Sequence, residues 1–288
     1  MGDAFAGLGE RSVAEHTEGI QRQIRADPQN ASLRLALCHF LALRGEWQRA
    51  EDQLKAAVKF DPSFTPASAT CSMALAGERQ RSAFWAGDAA RAPAVLGEGT
   101  DWVDALIAAA ALPADRADEA TRLRESARDA TPALRGLLQA VDRSGDATSE
   151  VVDGEALERI DIDWLCDGDA RLGAALEVIT PAGYGWLPLP SVRRLKFQRP
   201  QHLVDLLWSP VQVELADGRA LAVLVPVRYA GELATLEDGL ALARRTDWLP
   251  LPGEAAFAGA GQRTLISDAG DHALLELRTI EFAAGEAA

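Results

Sequence analysis

The stretch GEWQRAEDQLKAAVKFDP, residues 45–62, decides how the first half of the chain is interpreted. Ala50, Leu54 and Ala57 recur at spacings of four and three residues, which places them on one face of a helix. Gly45 precedes this pattern, and glycine permits a tight connection to an earlier helix because it adopts backbone conformations that other residues avoid. The stretch therefore predicts the second helix of a helical hairpin.

The Asp-Pro pair at 61–62 repeats the Asp-Pro pair at 27–28 after 34 residues, the period of the tetratricopeptide repeat. This repeat is a helix–turn–helix unit. Leu37 and Leu41 lie on one face of the helix that would precede the glycine turn. Residues 31–64 are therefore predicted to form one such repeat.

Weaker signals extend the helical pattern on both sides of this repeat. Residues 10–28 have the pattern of the second helix of an incomplete first unit. Further along, a helix is expected at 102–112, followed by a second one that repeats the spacing of the template with Ala120, Ala127 and Pro132. Residues 1–141 are predicted to be a helical tetratricopeptide-like domain, with an irregular helical bundle as the alternative.

A polar stretch at residues 142–154, DRSGDATSEVVDG, separates the helical pattern from a second half of different composition. Its Gly, Ser and Asp content predicts a linker. Residues 155–288 contain more Val, Trp and Pro, and apolar and polar residues alternate in them. Val211–Leu215 and Ala220–Val225 flank an Asp-Gly pair, which predicts a β-hairpin.

Other segments of the second half also match strand or helix patterns. Strands are predicted at 186–189, 192–197, 263–266 and 274–282, and helices at 170–179 and 236–245. The second half is therefore predicted to be a mixed α/β domain with a mostly antiparallel sheet. The whole chain is assigned to the α+β class.

Charge and cysteine content exclude several classes of protein. The 288 residues carry a formal net charge of −14, whereas binding to nucleic acid or to an anionic membrane needs clustered Lys and Arg. The three cysteines form no CxxC pair, which favours a reducing compartment over a disulfide framework. No signal peptide is visible, and no apolar run approaches the roughly 20 residues of a membrane span. A cytoplasmic protein is expected.

Metal ligation is only weakly indicated. Cys38 and His39 are adjacent, and neighbours on a helix point in different directions, so a core role is favoured for Cys38. Residues 161–169 carry four aspartates, but their spacing breaks the alternation of a calcium loop. Asp167 or Asp169 is instead expected to cap a helix that follows. No metal and no cofactor is predicted.

Catalysis is not indicated by any motif. The glycine-rich segment at 259–261 lacks the third glycine and the Lys-Ser/Thr of a phosphate loop, and no GxSxG motif exists. A hydrolase stays an alternative if Asp247, His202 or His272 converge in a cleft. Otherwise the chain is predicted not to be an enzyme.

Short motifs along nearly the whole chain carry a family resemblance. The most specific are Ala243-Arg-Arg-Thr-Asp-Trp248 and Val225-Pro-Val-Arg-Tyr229. The others are Gly45-x-Trp47-x-x-Ala50 to Asp61-Pro62, Asp101-Trp102, Asp169-x-Arg171-Leu172-Gly173, Tyr184-x-Trp186-Leu-Pro188, Asp205-Leu-x-Trp208 and Gly261-Gln-Arg263. Together they resemble the ImpE family, the TagJ or SciE type of accessory proteins of bacterial type VI secretion systems. The chain departs from the family where Ala230-Gly231-Glu232 follows the Arg-Tyr pair.

This resemblance implies an adaptor without catalytic activity. Its implied partner is the N-terminal helix of the small subunit of the contractile sheath. It also implies action alongside the hexameric AAA+ ATPase that recycles contracted sheath, and the sequence leaves open whether that ATPase is contacted directly or only indirectly. A helical-repeat array has a concave face that can receive an amphipathic helix. The sequence leaves open whether the groove lies in the repeat half, in the α/β half or between them.

Exposed aromatic residues are the expected anchors for such a partner, because tryptophan and tyrosine dominate interface energetics. Trp47 is expected to pack inside its repeat. Core packing is the competing role for each of the remaining tryptophans. The predicted partner-binding residues are Trp102, Trp186, Trp208, Arg244, Arg245 and Trp248.

The arginine pairs Arg193-Arg194 and Arg244-Arg245 leave a second alternative. Paired guanidinium groups can hold a phosphate, because each presents several donors in a fixed geometry. A regulatory protein that binds a phosphate or nucleotide would use them in this way. In so acidic a chain, ion pairs with nearby Asp or Glu are the competing role.

Overall fold

A computed structural model of the chain describes residues 8, 11–97, 101–144, 150–252 and 255–283. Helices dominate the first half, and one further short helix lies in the second. They are α1 (Val13–Ala26), α2 (Ala31–Leu43), α3 (Trp47–Phe60), α4 (Thr65–Trp85), α5 (Asp101–Ala110), α6 (Ala117–Ala130) and α7 (Asp238–Ala241).

The predicted helical hairpin at residues 31–64 is confirmed by α2 and α3. Gly45 connects them with a φ of 72°, in the left-handed region that glycine adopts at little cost. Ala50, Leu54 and Ala57 are all buried, as the spacing required. Small residues at two of these positions let the helices approach closely. Helices α5 and α6 form a second packed pair, where the weaker copy was predicted.

Fifteen strands are described, most of them after α6. They are β1 (Ala94–Val95), β2 (Gly136–Val141), β3 (Glu150–Val152), β4 (Glu155–Ile162), β5 (Leu165–Asp167), β6 (Ala175–Thr180), β7 (Gly183–Pro188), β8 (Val192–Phe197), β9 (Trp208–Leu215), β10 (Ala220–Pro226), β11 (Thr246–Pro250), β12 (Phe257–Gly261), β13 (Thr264–Ser267), β14 (Gly270–Ala273) and β15 (Leu277–Phe282).

Ten of these strands form one large sheet in the order β1-β7-β6-β10-β9-β8-β15-β2-β4-β3. Adjacent strands in this sheet are antiparallel, except that the short β1 runs parallel to β7. The hairpin predicted around Asp217-Gly218 is confirmed by β9 and β10, where Glu214 pairs with Ala220. A small sheet, β14-β13-β5, and the two-stranded β11–β12 ribbon complete the second half. The α+β class with a mostly antiparallel sheet is thereby confirmed.

Four local predictions were wrong. Residues 136–141 were assigned to the helical domain, yet they form β2 between β15 and β4. The helix predicted at 170–179 is replaced by a turn and the interior strand β6, because tertiary packing overrides the helix propensity of Ala and Leu. The helix predicted at 236–245 shortens to the four residues of α7, and the polar stretch 142–154 contributes β3 to the sheet edge.

The helical half packs directly on the sheet through α4. Gly77 faces Ile179 of β6 so closely that a Cβ on the glycine would lie 2.6 Å from the isoleucine Cγ2. Each of the two large hydrophobic clusters contains residues from both halves of the chain. The packing therefore does not follow the predicted boundary at 142–154.

The carboxyl end of α2 is held by the second half of the chain. Arg228 donates from Nη1 to the carbonyl oxygen of Leu43 at 2.7 Å. A cation at this position also complements the negative end of the helix dipole. Arg44 donates to the carbonyl of Leu236 and pairs with Asp238, and Asp238 also accepts from the backbone N–H of Val13 at 2.9 Å. The first two helices are thus fixed against the segment around α7.

No helix within the described ranges is both long enough and apolar enough to cross a membrane.

Candidate functional site

A buried network of charged side chains joins α4 to the sheet. Arg81 of α4 donates to both carboxylate oxygens of Glu177 on β6, at 2.9 Å from Nε and 2.7 Å from Nη2. It also lies 3.2 Å from the carboxylate of Glu78, one turn earlier on the same helix. All three side chains are almost fully buried. Glu78 and Arg81 lie three residues apart, so one face of α4 is charged where it meets the sheet.

Arg263 extends this network from Glu177 to Asp167. It is completely buried and pairs with Glu177 and with Asp167 of β5. Burial raises the pKa of Glu177, but the guanidinium groups of Arg81 and Arg263 outweigh that effect and hold the pKa below its usual range. Burial also raises the pKa of Asp167, to about 6, against the opposing charge of Arg263.

Aromatic side chains supply most of the remaining hydrogen bonds around Glu177. Tyr184 donates its hydroxyl to this carboxylate at 2.5 Å, and Trp85 donates from Nε1 at 2.9 Å. Trp186 in turn donates to the hydroxyl oxygen of Tyr184 at 2.7 Å. The carboxylate is thereby surrounded by donors, which is what a buried charge requires. Tyr184 and Trp186 are the two aromatic residues of the motif at 184–188, so this motif serves the buried network.

Three of the predicted anchors belong to this interior. Trp186 is fully buried, Trp208 is 3% exposed and donates from Nε1 to Glu78 at 3.0 Å, and Trp102 on α5 is 5% exposed. The expectation that they stand on the surface as anchors is wrong for the structure described. Their rings fill the space between the helical half and the sheet, which is the competing role that the sequence left open.

The other three predicted residues lie close together, with Arg244 and Arg245 exposed and Trp248 half-buried. Arg244, Arg245 and Trp248 line one cavity of about 580 Å³, within the roughly 300–1,000 Å³ typical of ligand pockets. We call it the Arg244 cavity. Its apolar lining is buried and includes Leu206, Leu242 and Leu275. Its polar lining is more accessible and includes Arg143, Asp271 and Glu276.

Two sequence motifs meet at the Arg244 cavity. Gln262 of the Gly-Gln-Arg motif donates from Nε2 to the carbonyl of Ala243 at 2.7 Å, and its Oε1 accepts from the backbone N–H of Leu275 at 3.1 Å. Thr246 donates its hydroxyl to the carbonyl of Gln262 at 2.6 Å. Trp248 lies beside Tyr229, with ring centroids 6.0 Å apart. The cavity wall is therefore built by residues that hold one another in place.

A second cavity, of about 570 Å³, lies at the other end of the sheet beside Arg135 and Asp163. These two side chains form an exposed ion pair at 3.3 Å. None of the six predicted partner-binding residues lines this cavity.

The other arginine pair is neutralised by acidic residues on adjacent strands. Arg193 lies 3.4 Å from the carboxylate of Glu214, and Arg194 lies 3.1 Å from that of Glu281. Arg193 and Arg194 thus form the ion pairs with nearby acidic residues that the sequence offered as the alternative to phosphate binding.

The residues considered for hydrolysis have separate partners. His272 is buried and shares a hydrogen bond of 2.8 Å with Ser267. Asp247 pairs with Arg245 at 3.2 Å, and His202 starts a short turn in which its backbone N–H donates to Asp205. Their contacts therefore do not unite them in one cleft.

The candidate metal ligands are engaged by other protein groups. The Sγ atoms of Cys38 and Cys71 are 3.9 Å apart in the helical core. Asp169 pairs with Arg171 and accepts from the backbone N–H of Gly259 at 3.1 Å, so it stabilises a turn where a helix cap was expected. Among the residues that the structure describes, no group of three or more His, Cys, Asp or Glu is placed to hold a metal ion.

Sequence reasoning missed Glu78, Arg81 and Glu177. The signal for Glu177 is a single charged residue inside the apolar run Ala174–Ile179. A charge in such a run is rarely buried unless it is paired. Its partner on α4 is 96 residues distant, so the sequence spacing gave no indication of the pair.

Comparison with known proteins places these motifs in a family. Residues 160–281 match the family model described as ImpE protein. The chain is also 38% identical over 268 residues to the type VI secretion system accessory component TagJ of Pseudomonas aeruginosa, an alignment that covers 92% of this chain and 85% of that protein. The chain belongs to the ImpE/TagJ family of type VI secretion accessory proteins.

A solved structure has the same fold. The crystal structure of a protein from Vibrio parahaemolyticus superposes with a TM-score of 0.76, covering 94% of each chain at 20% sequence identity. The arrangement of the helical half on the large sheet is therefore shared with that protein.

Proposed function

We propose that this protein is a non-catalytic adaptor of the type VI secretion system that binds the N-terminal helix of the small contractile-sheath subunit. We place the binding site at the Arg244 cavity. The observation that carries this placement is the joint position of Arg244, Arg245 and Trp248 around a buried apolar lining. Such a cavity suits one face of an amphipathic helix, with apolar side chains inserted and polar ones at the rim.

The packing of the helical half supports this location. In a repeat array, the concave face is the usual place for a helical ligand. Here the chain itself occupies the space beside α4 and the end of α2, with Ile179 against Gly77 and Leu233 against Gly45. The second half of the chain therefore stands where a partner helix would enter, which leaves the accessible cavity on the second half as the better candidate.

A non-catalytic role is supported by the way the interior charges are used. Arg81, Arg263, Glu177 and Asp167 satisfy one another, in a region where α4 and the sheet are in contact. Such pairs are typical of a structural ion-pair network. Assistance to sheath assembly, or to recycling by the AAA+ ATPase through the sheath subunit, would follow from holding this helix.

Fluorescence anisotropy tests the proposal directly. A labelled peptide copying the N-terminal helix of the cognate small sheath subunit is titrated with the full chain. We expect saturable binding with a Kd of about 1 µM or tighter, equivalent to about 8 kcal/mol. Replacing the apolar face of the peptide by polar residues should abolish it. Absence of binding by a folded protein would overturn the proposal.

A matched pair of variants localises the binding. Trp248→Ala removes an aromatic side chain from the Arg244 cavity, whereas Trp164→Ala removes an exposed one from a segment that does not line it. We expect the first to weaken binding about tenfold or more, as hot-spot tryptophans do, and the second to leave it unchanged. Equal effects of the two variants would exclude the cavity as the site.

An anion-binding function at the same arginines is the second candidate. The specific observation that favours it is the exposed side chain of Arg244, which forms no ion pair with a residue in the described part of the chain. A phosphate or nucleotide ligand would bind with an affinity that charge reversal at Arg244 abolishes and Trp248→Ala leaves intact. Peptide binding that depends on Trp248 would exclude this candidate.

A further inference from the structure

The three arginines around the Arg244 cavity differ in their partners. Arg143 pairs with Glu276, and Arg245 lies 3.2 Å from the carboxylates of both Glu237 and Asp247. The side chain of Arg244 is exposed and makes neither an ion pair nor a hydrogen bond with any residue in the described ranges. One uncompensated positive charge therefore stands at the rim of the cavity, in a chain whose net charge is −14.

The backbone around Arg244 is held in an unusual conformation. Ala243 has a φ of 52°, in the left-handed region that residues with a Cβ seldom adopt. The backbone N–H of Arg244 donates to the carbonyl of Gly239 at 2.8 Å, which closes the end of α7. Gln262, only 8% exposed, holds the carbonyl of Ala243 from the other side. Because these bonds fix the turn, the Cα of Arg244 has a defined position at the rim.

The cavity therefore offers two kinds of contact at once. Leu206, Leu242 and Leu275 are buried and supply an apolar lining. Arg244 supplies a planar cation that can bind a carboxylate with two parallel hydrogen bonds. An occupant that fits both contacts carries apolar side chains and a carboxylate on the same face.

We infer that Arg244 determines the specificity of the cavity by pairing with an acidic side chain of the bound helix. This inference rests on the proposed function, because it assigns the partner chemistry of the same site. It requires an Asp or Glu in the sheath-subunit helix, next to the apolar residues that enter the cavity. Arg245 has no such role, because its charge is already shared between two carboxylates of its own chain.

A mutant cycle tests the pairing. Peptides copying the sheath-subunit helix are made with each Asp or Glu replaced singly by its amide, and each is titrated against wild type, Arg244→Gln and Arg245→Gln. We expect one amide peptide to bind wild type about tenfold more weakly, a difference of about 1.4 kcal/mol. That loss should disappear with Arg244→Gln and persist with Arg245→Gln, because only interacting groups show such coupling.

The outcomes separate the two proposals. If the unmodified peptide binds wild type but every amide substitution has the same effect on wild type and Arg244→Gln, the pairing is overturned and the proposed function stands. A bound peptide without any acidic residue would overturn it equally. If the unmodified peptide does not bind wild type, the proposed function fails and the pairing fails with it. Circular dichroism of both variants verifies their folding, which exposed arginines should not affect.

Discussion

Arg81 Nη2 and Glu177 Oε2 lie 2.7 Å apart, and this buried contact joins α4 to the strand β6 in the middle of the chain. Arg263, from the second half of the chain, donates to the same carboxylate. The cation of Arg81 comes from the helical half and the carboxylate of Glu177 from the sheet. Their ion pair thus fixes the position of α4 on the sheet. Arg263 directly follows Gln262, which holds the wall of the Arg244 cavity through its hydrogen bond to the carbonyl of Ala243. The buried network and the cavity are therefore neighbours along the chain.

Removing one partner of the buried pair should be costly. We expect Arg81→Met to lower the free energy of unfolding by about 3–5 kcal/mol, because Glu177 would lose its main partner while remaining buried. Arg79→Met is the matched control on the same helix, since Arg79 pairs with Glu51 at a partly exposed position, and such pairs contribute less than about 1 kcal/mol. Urea denaturation measures both. Equal effects would contradict the structural role of the network.

The contact of α4 with the sheet depends on Gly77. A methyl group there would collide with Ile179. Gly77→Ala should therefore lower the free energy of unfolding by about 1–3 kcal/mol, compared with the same substitution at a helical glycine that has free space around it. Gly19→Ala on α1 is that reference, because its Cβ would meet only the end of Arg22. Thermal and urea unfolding compare the two variants. A gain in stability at both positions would show that α4 does not pack on β6 as described.

Asp167 should make the stability depend on pH between about 4 and 6. Its pKa is raised from 3.8 to about 6 in the folded protein, mainly by burial. The folded state therefore binds this proton more tightly than the unfolded chain does. The corresponding stability is fully present below pH 4 and is lost as the pH rises through 6.

The variant Asp167→Asn isolates this contribution. The free energy of unfolding of wild type minus that of Asp167→Asn should fall as the pH rises from 4 to 6 and level off above about 7. Urea denaturation at a series of pH values measures the difference. A difference that grows over this range would mean that the ion pair with Arg263 outweighs burial.

The helical hairpin depends on a small residue at position 50. Ala50 is completely buried between helices, so Ala50→Leu should overpack the contact and lower stability by about 1–3 kcal/mol. Gln48→Leu, an exposed substitution on the same helix, should change stability by less than about 0.5 kcal/mol. Urea denaturation distinguishes them. A change below half a kilocalorie at position 50 would count against the close packing of α2 and α3.

Local patterns predicted the elements that depend on local chemistry. The spacing of Ala50, Leu54 and Ala57 predicted α3, and the Asp-Gly pair at 217–218 predicted the β9–β10 hairpin. In both cases the residues that determine the structure lie within about two turns of one helix or within one hairpin. Such short-range information is present in a single sequence.

Long-range contacts explain what could not be predicted. Residues 174–179 have the composition of a helix, but they form β6 because their neighbours in the sheet and on α4 are distant in sequence. Likewise, the sequence around Trp186 and Trp208 does not indicate whether these residues are buried in the core or exposed as anchors. In the structure both are buried, where Trp186 donates to Tyr184 and Trp208 donates to Glu78, which is 130 residues distant in sequence. The position of a binding groove was left open by the sequence, and the structure adds only that Arg244, Arg245 and Trp248 line the same cavity.

The most direct test of the account is an NMR map of the peptide-binding surface. Amide spectra of the isotopically labelled 30.7 kDa chain are recorded with and without the sheath-subunit peptide. We predict the largest chemical-shift changes within residues 242–248 and 273–276, most of which line the Arg244 cavity, and small changes in α1 and α3. Changes concentrated on α1–α3, with residues 242–248 unaffected, would contradict it and place the partner on the helical repeat.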